Sequence, residues 1–185
     1  MEFKGIKKVH EGAFIARYDI TYETVDHKTK IYEMISRNKD IKTYEDLAEG
    51  THDAVVLIMH DVTGEKILLN KEFRMAAGKP VYNFPAGLVE KGETLLEGAT
   101  RELKEETGLD LVRIDDILFD SFSAVGFSNE KNRTLIGVAD GEFAPSTSTY
   151  EEIEARWYTK KEVRELIRDN LFASRTQTYC YMWSK

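Results

Sequence analysis

The sequence predicts an α/β protein of the α+β kind, in which a mixed β-sheet carries helices on its faces and a β-hairpin extends the N-terminus. Apolar runs of strand length precede and follow one strongly patterned helix, and two further helical segments close the chain. With 185 residues and 42% hydrophobic content, the chain has enough material for one domain with its own core.

The N-terminal stretch has the pattern of a strand pair. Apolar or aromatic residues occupy every second position from Phe14 to Tyr22, which is typical of a half-buried strand. A polar turn at 26–30 leads into IYEMIS, so we predict a two-stranded hairpin. Because such a ribbon is marginal alone, it should pack on the rest of the chain or on a partner subunit. Residues 38–52 are polar, and we expect a connection with at most a short helical turn.

Two neighbouring apolar runs predict the centre of the sheet. AVVLIMH (54–60) has strand length, and after a short turn KILLNKEFR (66–74) follows it. Beyond the patterned helix, we predict strands in ILFDSFSAV, TLIGVAD and EARWY. Helices are predicted over 160–168 and 172–183.

Composition excludes several classes of protein. The net charge of −7, without a cluster of Lys and Arg, argues against a non-specific nucleic-acid binder. The single cysteine, Cys180, rules out a disulfide framework and favours a reducing compartment. No apolar run approaches the roughly 18 residues of a membrane span, and the N-terminus lacks the apolar core of a secretion signal. We therefore expect a cytoplasmic protein with no membrane partner.

One helix stands out by its signals. Thr94 and Glu97 form a capping box ahead of an apolar pattern, and Gly108 follows the last periodic residue as a stop. At about 100° per residue, the buried stripe consists of Leu95, Ala99 and Leu103.

Carboxylates crowd this helix. Glu106 falls inside the apolar stripe, Glu102 lies at its edge, and Glu105 lies one step further round. A carboxylate turned toward a core is costly unless it is paired or bound to a cation, and like charges four residues apart repel. Arg101 can pair with Glu105, but further positive charge is required. Gly98, one turn before Glu102, leaves room for a backbone segment, and the preceding NFPAGL segment is the candidate.

From Gly87 to Leu109 the chain has the spacing G-x5-E-x7-R-E-L-x-E-E-x-G-L. This pattern resembles the Nudix box at every position. The resemblance implies a Nudix hydrolase domain over residues 51–185, with residues 1–50 as an N-terminal extension and connection. It also implies hydrolysis of the pyrophosphate bond of a nucleoside diphosphate linked to a second group X. Mg²⁺ or Mn²⁺ would be the cofactor, in keeping with the preference of hard cations for oxygen ligands.

The resemblance assigns roles by position in the box. It makes Glu102 and Glu106 the principal metal ligands and Glu105 a further ligand or a base acting through water. Glu93 would orient the site or bind metal through water, and the carbonyl of Ala86 would also ligate metal. The residues implied as structural support are Arg101, Gly87 and Gly108.

The longer segment EFRMAAGKPVYNFPAGLVEKGE is similar to the ADP-ribose pyrophosphatase branch of this family. The similarity implies that Arg74 meets substrate phosphates, that Glu33 and Arg37 help to bind the terminal nucleoside, and that the protein is a homodimer with exchanged N-terminal hairpins.

A second catalytic carboxylate is implied by two later segments. SAVGFSNE resembles a family segment in which Glu130 would be functional. The loop PSTSTYEEIEARW offers Glu151 and Glu152, between which the alignment does not choose.

Three functions remain open. ADP-ribose enzymes usually carry a proline 16 residues after the last glycine of the box, where this chain has Ala124. Hydrolysis of ADP-ribose to AMP and ribose 5-phosphate is the leading hypothesis. The alternatives are hydrolysis of another nucleoside diphosphate sugar or a dinucleotide, and a non-catalytic nucleotide-sugar sensor.

Overall fold

The computed structural model describes residues 1–50, 53–148 and 152–185. The strands are β1 (Glu2–Glu11), β2 (Ala16–Glu23), β3 (Thr29–Ser36), β4 (Ala54–His60), β5 (Lys66–Arg74), β6 (Lys79–Asn83), β7 (Ala86–Leu88), β8 (Asp110–Ile117), β9 (Ser121–Phe122), β10 (Lys131–Asp140) and β11 (Ile153–Thr159). The helices are α1 (Tyr44–Ala48), α2 (Leu95–Thr107), α3 (Lys160–Asp169) and α4 (Ser174–Trp183). None of the helices in these ranges combines the length and apolarity that a membrane crossing requires.

The chain divides into two compact units. The first contains Met1–Asp53 and Asp120–Asn132, and the second contains Ala54–Phe119 and Arg133–Lys185.

The first unit is built on an antiparallel sheet in the order β1-β2-β3. Strands β2 and β3 form the predicted hairpin, with Ala16 opposite Ser36. Strand β1 was not predicted, because irregularities in its register between Phe3 and Gly5 and between Lys8 and His10 break the two-residue alternation. The sheet buries its own small core, which comprises Ala16, Tyr18, Ile20, Met34 and Ile41.

The second unit has a larger sheet with the strand order β11-β5-β4-β10-β8, to which β6 adds on β5 and β7 on β4. Alternation along β4 sends Val55, Leu57 and Met59 to one face and Val56 and Ile58 to the other. The first face packs against α2, and the second packs against α3 and α4. The predicted sheet between helices is confirmed.

One strand prediction was wrong. ILFDSFSAV is not a continuous strand: β8 ends at its first residue, Ile117, and only Ser121–Phe122 pairs again. Strand β8 itself, DLVRIDDI, escaped notice because it is the edge of the sheet and most of its side chains are exposed, so its sequence is polar. The short strands β6 and β7 were also missed, whereas β4, β5, α2, α3 and α4 lie within two residues of their predicted bounds.

Candidate metal centre

Helix α2 begins and ends as its sequence predicts. The Thr94 hydroxyl accepts a hydrogen bond from the Glu97 N–H at 3.3 Å, and the Glu97 carboxylate accepts from the Thr94 N–H at 2.8 Å. At the other end Gly108 has φ of 80°, and its N–H donates to the carbonyl of Lys104 at 2.9 Å. These contacts fix both ends of α2. They thereby also fix which sides of the helix carry the glutamates.

Two residues of the loop before β11 also bind the C-terminus of α2. The N–H of Ala144 donates to the carbonyl of Thr107, and the N–H of Thr147 donates to the carbonyl of Glu105, both at 3.0 Å. Ala144 lies so close to Gly108 that a β-carbon there would be 2.4 Å from the Ala144 nitrogen. Gly108 is therefore required both by its left-handed backbone and by this packing.

Arg101 lies among the glutamates of the predicted site. Its guanidinium donates to Glu93 at 2.8 and 3.0 Å, to Glu102 at 2.7 Å and to Glu105 at 3.3 Å. It also donates to the carbonyl of Leu88 at 2.9 Å. A single cation thus joins three carboxylates and the end of β7.

Charge pairing shifts the pKa values of Glu93 and Arg101. The hydrogen bonds from Arg101, with a further one from the Glu90 N–H, lower the pKa of Glu93 from 4.5 to about 2. The hydrogen bond to Glu93 in turn raises the pKa of Arg101 above its ordinary value. Both side chains therefore stay charged across the pH range in which proteins work.

Glu106 points into the protein, as its angular position on α2 predicts. The residue is 6% exposed, and its Oε2 accepts hydrogen bonds from Asn70 Nδ2 at 2.8 Å and from the Ala86 N–H at 3.3 Å. A buried carboxylate requires such partners. Asn70 on β5 and Ala86 on β7 supply them.

Glu102 lies against Gly87, the residue that follows Ala86 in β7. A β-carbon on Gly87 would be 1.9 Å from the Glu102 Cδ, so only glycine leaves space for this carboxylate. The expectation for Gly98 was partly wrong. A β-carbon at Gly98 would meet Glu93 at 3.1 Å and Val89 at 3.5 Å, so the segment that approaches there is 89–93 rather than NFPAGL.

The donor set fits a hard divalent cation. Glu102 lies against Gly87, and Glu106 accepts from the N–H of Ala86, so two carboxylates meet at consecutive residues of β7. Carboxylate oxygens are the ligands that hard divalent cations prefer. In the part of the chain that the structure describes, no three Asp, Glu, His or Cys side chains are grouped so that they could hold a metal ion, and Glu93, Glu102 and Glu105 bond Arg101 instead. Binding of a cation by Glu102 or Glu105 would exchange part of this contact with the guanidinium.

Arg74, the predicted phosphate ligand, ends β5. Its side chain is 55% exposed, and its Nη1 lies 3.5 Å from Oε2 of Glu72, whose side chain is only 9% exposed. Glu72 also accepts from Asn83 Nδ2 at 3.1 Å. Asn83 in turn accepts from the hydroxyl of Thr176 on α4 at 2.9 Å. Arg74 thus lies beside a buried polar network.

The remaining predicted residues have separate surroundings. In the first unit, Arg37 Nε donates to Glu130 Oε2 at 2.6 Å, so two residues predicted from distant segments form an ion pair. Glu33 is exposed and lies 3.9 Å from Arg17. Glu152 is exposed, and its carbonyl accepts from the Phe73 N–H at 3.1 Å. Glu151 lies outside the described residues.

Sequence reasoning missed two residues next to the site, Asn70 and Glu72. Both alternate with Arg74 along β5 and therefore share its face of the sheet. The available signal was a polar residue and a charged residue inside an otherwise apolar strand.

Comparison with known proteins gives two kinds of likeness. The family model of the NUDIX domain matches residues 50–178. The crystal structure of an ADP compounds hydrolase superposes with a TM-score of 0.75 at 16% identity, over 99% of this chain and 92% of that chain, which is a likeness of fold.

Two relatives illustrate the similarity in sequence. The ADP-ribose pyrophosphatase of Bacillus subtilis (strain 168) is 33% identical over 119 residues, which cover 58% of this chain and 64% of that protein. The ADP-sugar pyrophosphatase of Mus musculus is 29% identical over 100 residues, which cover 54% and 44%. The chain spans less than half the length of several curated relatives that it matches.

Proposed function

Because this chain belongs to the NUDIX domain family, we propose that it hydrolyses the pyrophosphate bond of ADP-ribose and releases AMP and ribose 5-phosphate. The observation that carries the proposal is the placement of Glu102 and Glu106 against Gly87 and Ala86, with Arg101 beside them. The proposal is supported by relatives named as pyrophosphatases of ADP-ribose or ADP-sugars.

The proposed cofactor is Mg²⁺ or Mn²⁺. Glu102, Glu106 and the Ala86 carbonyl would hold it, with Glu105 and Glu93 as further ligands or as ligands through water. When bound, the cation would neutralise charge on the pyrophosphate oxygens and activate water for attack at phosphorus.

The protein's own residues prepare this chemistry. Arg101 keeps Glu93, Glu102 and Glu105 close together despite their like charges. Glu105, whose side chain is 47% exposed, would act as a further ligand or as the base that takes a proton from water. Glu130, Glu151 and Glu152 are the candidates for the second catalytic carboxylate.

Substrate binding is assigned to the arginines. Arg74 would contact the phosphates, because its exposed guanidinium ends the strand that carries Asn70 beside Glu106. Glu33 and Arg37 would bind the nucleoside. In the described structure Arg37 is paired with Glu130, so a ligand would share or replace that contact.

Assembly and location complete the proposal. We propose a homodimer that uses the three-stranded sheet of the first unit, which carries exposed apolar side chains such as Ile31 and Tyr32. The free, buried Cys180 supports a reducing compartment and hence the cytoplasm. Light scattering of the purified protein tests the first statement, and a monomer at micromolar concentration would contradict it.

The direct test of function is product analysis. The protein is incubated with Mg²⁺ and separately with ADP-ribose, UDP-glucose, diadenosine polyphosphates and NADH, and the products are identified by chromatography and mass spectrometry. AMP with ribose 5-phosphate from ADP-ribose is the expected result. Faster turnover of another compound would mean that this compound, and not ADP-ribose, is the substrate. Tight binding of one compound without turnover favours a sensor.

A pair of variants tests the metal centre. Glu106→Gln should lower kcat by at least about 100-fold, because it removes a ligand charge in a site where small displacements are costly. Glu90→Gln makes the same change at an exposed carboxylate of the same segment and should keep the wild-type rate. Full activity of Glu106→Gln would remove the metal assignment.

Thermal unfolding gives a measurement that is independent of turnover. A cation that binds only the folded state at 100 times its Kd stabilises by about 2.7 kcal/mol, so Mg²⁺ should raise the Tm. The rise should be absent in Glu106→Gln. An equal Tm with and without saturating Mg²⁺ contradicts a metal site in the free protein.

A further inference from the structure

Asn70 is a polar side chain in the apolar centre of the second unit. It is 0% exposed and lies on β5, two residues after the fully buried core residue Leu68 and on the same face of the sheet. Packing alone would be served by an apolar residue at this position. The presence of an amide therefore requires another reason.

The contacts of Asn70 are directed to one partner. Its Nδ2 donates to Oε2 of Glu106 at 2.8 Å, while its buried Oδ1 has no hydrogen-bond partner among the described residues. A buried amide with one unsatisfied end costs free energy, so Asn70 is poorly explained as a stabilising residue. Its nitrogen is the atom that makes a specific contact.

The same oxygen of Glu106 has a second donor. The N–H of Ala86 on β7 lies 3.3 Å from it, so the oxygen is held between a side chain of β5 and the backbone of β7. The amide nitrogen of Asn70 can donate a hydrogen bond but cannot accept one. Its contact with Glu106 therefore fixes the orientation of the carboxylate. The orientation of Glu106 thus depends on two neighbours from different strands.

We infer that Asn70 is a positioning residue of the metal centre, which orients the carboxylate of Glu106 for cation binding. The inference rests on the proposed function, since it presupposes that Glu106 holds a cation. Hydrogen-bond partners of metal ligands act in this way, and removing one lowers metal affinity by about 10 to 100-fold.

The test measures Mn²⁺ binding without substrate, from the electron paramagnetic resonance signal of free Mn²⁺. Leucine has the same branched arrangement of side-chain heavy atoms as asparagine but no hydrogen-bond donor, so Asn70→Leu should raise the Kd for Mn²⁺ by about 10 to 100-fold. At saturating metal its KM for ADP-ribose should equal the wild-type value, because Asn70 is placed to act through Glu106 and not on the substrate. Asn70→Ser removes the amide with a smaller change in polarity and should weaken Mn²⁺ binding in the same direction.

A matched control separates this role from general damage to a buried polar group. Thr176→Val removes a fully buried hydroxyl that bonds Asn83, and it should lower the Tm without changing the Kd for Mn²⁺. A wild-type Kd in either Asn70 variant that is folded by circular dichroism overturns the inference.

A failure of the proposed function would give results different from a failure of the role of Asn70. If the wild-type protein does not bind Mn²⁺, or if Glu106→Gln binds it as well as wild type, the metal assignment is wrong. If Glu106→Gln loses binding while both Asn70 variants keep it, only the role of Asn70 is wrong.

Discussion

The carboxylate of Glu102 occupies the space that a side chain of Gly87 would need, since a β-carbon at residue 87 would lie 1.9 Å from Cδ and 2.2 Å from both carboxylate oxygens. Gly87 pairs with Val55 in the sheet, and Glu102 is fixed on a capped helix. The atoms in the way are the end of the Glu102 side chain, so a side chain added at residue 87 would have to displace the carboxylate.

Gly87→Ala should therefore displace Glu102 and lower kcat by about 100-fold, the cost expected for a displacement of about 1 Å at a reacting centre. Steady-state kinetics at saturating Mg²⁺ measures the effect. Gly50→Ala is the control, because its β-carbon would come no closer than 3.9 Å to a neighbour, and it should keep the wild-type rate. Unchanged kinetics of Gly87→Ala would show that Glu102 can move without consequence.

Gly108 permits a prediction about stability that a second glycine calibrates. Gly64→Ala places alanine at φ of 72° with open space around it, so it should cost only about 1–2 kcal/mol of unfolding free energy. Gly108→Ala has φ of 80° and also meets the Ala144 nitrogen at 2.4 Å, so overpacking should add about 1–3 kcal/mol. Urea unfolding compares the two variants, and equal losses would mean that the 144–147 loop yields.

Much of the site follows from local rules of the chain. The capping box and Gly108 fix the bounds of α2, and with the helical repeat they place Glu106 on the buried side, where it is 6% exposed. The close approach of Gly87 follows from the order of segments, because β7 and α2 are joined by a short connection. These features depend on residues that are close together in the sequence, so the sequence pattern is sufficient to predict them.

Contacts between distant segments could not be read in this way. The partner of Glu106, Asn70, is 36 residues away, and the pairing of β5 with β6 that brings Asn83 to Glu72 depends on a strand that the sequence pattern did not reveal. The polar edge strand β8 was missed for a related reason, since alternation is visible only where one face is buried. The pairing of residues and strands that are far apart in the sequence is visible only in the structure.

The ion pairs of Arg101 predict a specific dependence of stability on pH. Glu93 has a folded pKa of about 2 against an ordinary value of 4.5, so its contribution is present above about pH 4.5 and is lost as the pH falls toward 2. Arg101→Gln removes the cause of the low pKa. We expect the variant to be less stable than wild type near pH 6 and the difference to shrink steadily below pH 4.5.

Denaturant unfolding in the presence of a chelator measures this difference at each pH, without metal at the carboxylates. Arg113→Gln is the control, because it breaks a pair with Asp115 in which both side chains are largely exposed. Its difference from wild type should be small throughout. A constant difference for Arg101→Gln between pH 6 and pH 2 contradicts the assigned pairing.

Glu72 and Arg74 are predicted to act as a unit in substrate binding. Loss of the guanidinium in Arg74→Ala should raise the KM for ADP-ribose by about tenfold or more, the equivalent of one hydrogen bond between charged groups. Glu72→Gln keeps an acceptor for Asn83 but loses the charge 3.5 Å from Arg74, so a smaller rise of KM with little change in kcat is expected. Because Glu72 acts through Arg74, the double variant should match Arg74→Ala alone.

Lys71→Gln alters a charge on the opposite face of β5 and serves as the control. Additive effects of Glu72→Gln and Arg74→Ala on KM would mean that the two residues work independently.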